Sequence, residues 1–294
     1  MRLGYACINT VLPTKFKTCR LRTVEKEGLQ KVKELAVHNL KEVIQVLRWN
    51  IEHRIFFFRL SSELIPFASH PIMAWDWEKD EDILALTDEI KHLRDAHDLR
   101  LSLHPGQYTV LNSPKEQVVK NSIAELAYHE TMLRLVGGQD MILHGGGAYG
   151  DKREAKARFV QNYKELPEEI KEVLRIENDD KTYTALDVID LAEKTGAPIC
   201  FDIHHHRCNH EEDAHLEGIL NSVFASWPDG IIPKMHISSG RQAANDPAHH
   251  NYILEEDFSF FLEKLDGREA DIMCEAKMKE QAVLRLQEAY PELS

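Results

Sequence analysis

Residues 100–147 read RLSLHPGQYTVLNSPKEQVVKNSIAELAYHETMLRLVGGQDMILHGGG, and the order of patterns within them decides the fold. A short β-rich run, Arg100–Leu103, ends in His104-Pro105-Gly106. A stretch with apolar residues at helical spacing then fills Glu116–Val136. A second β-rich run, Asp140–Leu143, ends in His144 and three glycines. Strand, helix and strand in that order, with no hairpin signal between them, imply two parallel strands joined by a crossover helix.

The same unit recurs on both sides. Further β-rich runs begin near Leu3 (LGYACIN), Ile55 (IFFFRLSS), Leu174 (LRIEND), Ile199 (ICFDIHH), Ile232 (IPKMHIS) and Asp271 (DIMCEAK). Helical spacing follows at Val24–Arg54, Asp80–His97, Asp187–Thr195, Leu216–Ala225, Phe258–Leu265 and Glu280–Tyr290, and in a more polar form at Lys152–Tyr163. Eight strand-then-helix units predict an α/β fold, a closed (β/α)₈ TIM barrel with its active site at the C-terminal rim of the strands. A doubly wound open sheet is the alternative, but no G-x-G-x-x-G follows any strand. No linker, tandem repeat or low-complexity segment divides the chain, which predicts one domain over residues 1–294.

Composition agrees with a packed enzyme-sized domain: 294 residues, 43% hydrophobic and 29% charged. The densest apolar run, IFFFRL at Ile55–Leu60, is interrupted by Arg59 and is too short to span a bilayer. The N-terminus lacks the apolar core of a signal peptide. These features predict a cytoplasmic protein with no membrane association. Five cysteines at irregular spacing and without a C-x-x-C pair argue against a disulfide framework or a zinc knuckle, and Cys200 and Cys274 read as small core residues. The net charge of −13 counts against nucleic acid as a partner, which wants a basic footprint. That objection weakens where acidic residues are metal ligands, because each divalent ion adds local positive charge.

The chemistry concentrates at the ends of strands three to eight. His104, His144, Glu177, Asp202 with His204-His205-His206, His236 and Glu275 all fall at or near those ends. In a barrel, side chains at that end converge although they lie far apart in the sequence. A lone buried histidine is more often a satisfied core residue, and a lone strand-end carboxylate is more often a helix cap. Six consecutive strands would need that coincidence repeatedly. Imidazole mixed with carboxylate suits zinc, manganese or iron better than calcium, and so many ligands suit two or three ions. Clustered ions could hold a phosphate, lower the pKa of a bound water and stabilise a leaving oxygen. His38, His53, His92, His97, His129, His210 and His215 fall on helical or polar stretches and read as surface residues.

At these residues the sequence resembles the UV damage endonuclease family. The resemblance rests on Tyr5 and Asn9, Arg59-Leu60-Ser61-Ser62-Glu63-Leu64-Ile65-Pro66 with Ser69-His70-Pro71, and His104-Pro105-Gly106-Gln107-Tyr108. It continues through Glu177-Asn178-Asp179, Phe201-Asp202-Ile203-His204-His205, Lys234-Met235-His236-Ile237-Ser238 and Glu275-Ala276-Lys277-Met278-Lys279-Glu280. It spans strand one to strand eight. It implies a metal-dependent endonuclease that nicks damaged double-stranded DNA 5′ to cyclobutane pyrimidine dimers, 6-4 photoproducts and abasic sites, leaving a 3′-hydroxyl and a 5′-phosphate. It implies metal ligands at His70, His104, His144, Glu177, Asp202, His205, His236, His249 and Glu275, with catalytic roles for Glu177, Glu275 and Lys234. The ions would be two or three, manganese first, with zinc, magnesium or cobalt as alternatives. His250 could serve in place of His249, and strand alternation selects His205 only if strand six breaks after Asp202. Lys234 is either paired with a carboxylate or near the metals, where carboxylation would add an oxygen ligand.

The resemblance also gives Gln107 and Tyr108 a probing role in the damaged duplex, and places Tyr5 and Asn9 against the extruded lesion, although position in strand one equally allows Tyr5 a place in the core. Distorted pairs unstack at lower cost, so an enzyme that extracts them gains selectivity without a base code. The loop Lys15–Arg22, Lys152-Arg153 and Arg241 would meet phosphates. No obligate protein partner is expected, and the chain should act as a monomer. The competing readings are an endonuclease IV-like abasic-site enzyme, a metal-dependent sugar isomerase on the same barrel, and a non-catalytic metal- or DNA-binding protein.

Overall fold

Alternation along short strands builds this molecule from the inside outward. The computed structural model describes residues 1–212 and 214–293. Its strands are β1 (Leu3–Ala6), β2 (Phe57–Arg59), β3 (Arg100–Leu103), β4 (Asp140–His144), β5 (Leu174–Glu177), β6 (Ile199–Asp202), β7 (Lys234–Ile237) and β8 (Asp271–Cys274). They pair in sequence order, all parallel, and β1 closes on β8. The predicted barrel is what the chain forms.

Around it, among the described residues, run α1 (Leu21–Glu27), α2 (Leu29–Glu52), α3 (Glu81–His97), α4 (Glu116–Val136), α5 (Lys152–Lys164), α6 (Glu168–Val173), α7 (Ala185–Thr195), α8 (Ile203–Cys208), α9 (Leu216–Ser226), α10 (Glu255–Leu265) and α11 (Lys279–Ala289). Three differences from the sequence reading have local causes. The first expected helix is split at Gly28, whose φ of +78° only glycine adopts without strain. The short α6 precedes β5 after Pro167 and is too brief to show a helical period. The run ICFDIHH is strand only to Asp202, where the carboxylate caps α8 by accepting from the His205 backbone N–H at 2.8 Å.

Successive strand residues face opposite sides of the wall. Leu101 and Leu103, Met141 and Leu143, Leu174 and Ile176, Phe201, Met235 and Ile237 all join the apolar layer under the helices. The alternate positions fill the barrel. Its floor is an ion network in which Arg100 binds Asp140 at 2.9 Å and Asp271 at 3.0 Å, and Arg175 holds the other oxygen of Asp140 at 3.0 Å. Phe57, Met273 and Ala6 form a small apolar plug, and Lys234 lies over the Phe57 ring at 5.6 Å. The third inward row is polar: Arg59, His104, His144, Glu177, Asp202, His236 and Glu275 follow the same parity at the opening.

One helical histidine corrects the sequence reading. Helical position puts His129 at the surface, yet it is fully buried on α4, where its Nδ1 faces the Glu125 carbonyl oxygen at 2.8 Å. Burial holds its pKa below 6.5, although Glu125 pulls the other way. The unfolded state therefore binds the extra proton, and the stability tied to neutral His129 is present above pH 6.5 and lost as the pH falls below it. His129→Leu is expected to flatten the decline in stability between about pH 7 and pH 5, read as denaturant midpoints of the two proteins. An unchanged slope would contradict this account.

Candidate metal centre

Strand register sets the site. His144 stands opposite Glu177 across β4 and β5, and Asp202 stands opposite His236 across β6 and β7. Glu177, 1% exposed, lies between both pairs. Its Oε2 is 3.1 Å from His104 Nε2 and 3.5 Å from His144 Nε2. Its Oε1 is 2.6 Å from His236 Nδ1 and 3.7 Å from His205 Nδ1. Glu275, from the end of β8, reaches His236 at 3.5 Å and is paired with Arg59.

Two groups of donor atoms lie within 4.8 Å of one another: His104, His144 and Glu177, and Glu177, Asp202 and His236. Glu177 belongs to both, so its carboxylate could be shared between two cations. The remaining polar atoms fit the same use. Among the described residues, His144 Nδ1, His236 Nε2 and Asp202 Oδ2 are buried without a hydrogen-bond partner, which is costly unless something else satisfies them. His104 Nδ1 faces the Pro105 carbonyl oxygen at 3.0 Å while its Nε2 faces Glu177. A neutral imidazole has one N–H, so one ring nitrogen meets oxygen with a lone pair, a clash that a second proton or a cation would relieve. Donating Nδ1–H to a backbone carbonyl is also how ligating histidines are oriented.

Burial and neighbouring charges pull His104, Glu177, Glu275 and His205 in different directions. Burial pushes His104 down to about 4, against the pull of Glu177. Burial would raise Glu177, but the charges of His236 and His144 and the bonds from His104 and His236 hold it well below the usual carboxylate range. Glu275 is likewise raised by burial and lowered further by Arg59 and His236. His205 goes the other way: burial lowers it, but Asp202, Glu177 and Glu275 lift it to about 9. A cation entering there displaces a proton.

The strand break after Asp202 brings His205 back to the carboxylate, 3.7 Å from its Oδ2, as α8 begins. Asn178 fixes that corner, exchanging bonds of 2.9 Å with the Asp202 backbone while its own carbonyl oxygen lies 2.9 Å from His205 Nδ1. His249 has its ring 5.9 Å from His204 and is close enough to Glu275 to lower its pKa. His250 instead turns Nδ1 onto the backbone of Tyr252. His70 stands apart in the exposed loop after β2, where its Nδ1 accepts from the Ile72 N–H at 3.1 Å.

The remaining predicted residues divide. Tyr108 is 84% exposed, and Gln107 and Arg241 are exposed beside the opening. Tyr5 faces outward into the core, where its hydroxyl donates to Asn50 at 2.6 Å and accepts from Asn9 at 3.0 Å. Asn9 is buried too, its side-chain carbonyl oxygen accepting from the Val11 and Leu12 N–H groups. Lys234 has no carboxylate within ion-pair distance among the described residues, and its ammonium donates only to Ser102 Oγ at 3.0 Å. Lys152 is spent on Asp187 at 2.6 Å, whereas Arg153 is exposed. The sequence reading gives Arg59 no role, although a charge breaking the apolar run of strand two is the visible signal; its pKa, lowered by burial, is raised overall by Glu275, Cys7 and Glu177.

A closed parallel β/α barrel whose rim gathers imidazoles around a shared buried carboxylate defines a class of barrel proteins with groups that could hold metal ions. Within that class this chain belongs to the UV-endonuclease UvdE family, whose profile matches residues 1–294. A UV DNA damage endonuclease of Bacillus pumilus (strain SAFR-032) is 39% identical over 275 residues, covering 90% of this chain and 84% of that one. The crystal structure of SacUVDE superposes with a TM-score of 0.89 at 36% identity, covering 100% of this chain and 99% of that one. Endonuclease IV from Thermus thermophilus shares the fold, with a TM-score of 0.61 at 16% identity over 100% of both chains. No helix among the described residues is long and apolar enough to cross a membrane.

Removing the shared charge should undo the centre. Glu177→Gln is expected to weaken divalent-cation binding about 100-fold or more, read by titration calorimetry of the metal-free protein. Wild-type affinity in that variant would show that Glu177 is not a bridge.

Proposed function

We propose that the chain is a DNA repair endonuclease that nicks DNA immediately 5′ to cyclobutane pyrimidine dimers and 6-4 photoproducts, and at abasic sites, leaving a 3′-hydroxyl and a 5′-phosphate. The observation that carries this reading is the carboxylate of Glu177, shared between two cation-holding groups in a chain of the UV-endonuclease family. His104, His144 and Glu177 would hold one divalent ion and Glu177, Asp202 and His236 a second, with His205, His249 and Glu275 completing the set and His70 joining from its loop. Manganese is the ion expected. Ions bound there would polarise the scissile phosphate, supply hydroxide at neutral pH and stabilise the leaving oxygen.

The protein's own groups do the rest. Arg59 holds Glu275 in a single orientation, and Asn178 does the same for Asp202 and His205. Gln107 and Tyr108 enter the duplex where a damaged pair leaves it, and Arg241 with the exposed Lys15, Lys17, Arg20 and Arg22 meets phosphates. Tyr5 and Asn9 shape the base of the β1 loop, and lesion contact by them would require that loop to open. A sugar isomerase needs neither an 84% exposed tyrosine nor a basic loop beside its pocket.

Lys234 has a separate part, because it is a fully buried amine with no carboxylate to pair with, two residues before His236. Burial pushes its pKa down to about 8 despite the opposing influence of Cys200. The neutral amine attacks carbon dioxide, forming the N–C bond of a carbamate and releasing one proton, and the new carboxylate extends toward the centre. Carbon-13 NMR in labelled bicarbonate should show a carbamate resonance that Lys234→Arg loses; the same resonance in that variant would refute the modification.

The decisive assay is relaxation of supercoiled plasmid with manganese. Irradiated plasmid should be nicked and unirradiated plasmid spared, with EDTA and His104→Ala each abolishing the reaction. Gln107→Ala combined with Tyr108→Ala should keep the metal content and bind lesions about tenfold more weakly. Sugar isomerisation without nicking would overturn the reading.

A further inference from the structure

The loop after β4 displays an aromatic ring that nothing above uses. Gly145-Gly146-Gly147-Ala148-Tyr149-Gly150 leads from His144 to Asp151, the cap of α5. The segment is pinned. Asn112 Nδ2 donates to the Gly147 carbonyl oxygen at 2.8 Å, and the Tyr183 hydroxyl donates to the same oxygen at 3.4 Å. A Cβ on Gly145 would come 2.5 Å from the Tyr183 ring, and one on Gly146 would come 2.3 Å from Asn112 Oδ1, so only glycine permits this approach. The Ala148 carbonyl oxygen accepts from the Asp151 N–H at 3.1 Å and closes the turn.

Tyr149 itself stands at φ +50°, in the left-handed region that bulky side chains avoid. Its ring is 47% exposed, so packing offsets little of that strain. What contact it has is bracing: the Arg158 guanidinium lies 5.9 Å from the ring centre, and an added Cβ on Gly147 would come 3.2 Å from its atoms. Arg158 donates Nε–H to the Asn112 carbonyl oxygen at 2.9 Å, so brace and loop share one anchor. A bulky aromatic held in that conformation by its pinned loop, with its ring toward solvent, invites a functional explanation.

The ring lines a cleft of about 570 Å³ shared with Tyr108, Lys181, His144 and His205. The two imidazoles belong to the metal centre, so the cleft runs from the proposed position of the scissile phosphate out between two exposed tyrosines on separate loops. We propose that Tyr149 is a stacking platform for the displaced nucleobase adjoining the scissile phosphate, working opposite Tyr108. This inference rests on the nuclease reading and names a substrate-contacting residue for it. A planar occupant suits a cleft whose mixed lining includes two tyrosine rings from separate loops. Stacking is tolerant of base identity, which suits an enzyme that selects distortion rather than sequence.

The test uses full-length protein loaded with manganese and a duplex carrying one pyrimidine dimer. Tyr149→Asn removes the aromatic face but favours the left-handed backbone, so the loop should keep its shape and thermal stability. KM for the lesion duplex should rise about tenfold with kcat within about twofold of wild type, and Tyr149→Phe should match wild type. Wild-type KM in the Tyr149→Asn variant, or equal impairment in the Tyr149→Phe and Tyr149→Asn variants, would overturn the platform while leaving the nuclease reading intact. Absence of nicking by the wild type would remove the nuclease reading, and this inference with it.

Discussion

A carboxylate taken almost wholly out of water, with imidazole nitrogens at 2.6, 3.1, 3.5 and 3.7 Å, is the constraint around which this molecule is arranged. An isolated buried charge would neutralise by taking a proton. Glu177 stays ionised because positive or polarised partners approach both of its oxygens. Those partners in turn retain orphaned atoms and facing lone pairs that divalent cations would satisfy. The barrel supplies the stiffness that holds so strained a charge distribution in place.

That stiffness comes from the layers beneath. Arg100 and Arg175 neutralise Asp140 and Asp271 at the floor, with their charges paired inside the wall. Above them Lys234 is buried without a carboxylate, beside Ser102 and the Phe57 ring. The interior thus grades from paired charge, through an amine that among the described residues has no carboxylate at ion-pair distance, to the imidazole and carboxylate rim. The loops above display an exposed Tyr108, a half-exposed Tyr149 and the cationic segment after β1.

Much of this is legible in the sequence because the relevant periods are short. The alternation of strands and helices yields eight units, and a polar residue at the end of six successive strands marks the centre. The parity that puts His236 on the side of Lys234 also puts Glu275 on the side of Met273. His129 misleads because helical position says little about burial when polar neighbours surround an inward-facing residue. The split of the first helix at Gly28 escapes notice because glycine inside an apolar period is tolerated in many helices and breaks others.

The sequence by itself determined the barrel, the inward row and the chemical types at its opening, since these follow from local periodicity and residue identity. Only the tertiary structure decided which atoms meet. Glu177 became the shared member because β4 and β5 align it with His144 while β6 and β7 bring up Asp202 beside His236. His205 came beside Glu177 because the chain turns into a helix one residue after Asp202, and of the two places open to Tyr5 its parity chose the core under the helices. Register between strands and the angle at a strand's end are set by packing across the whole barrel, and no window of local sequence contains them.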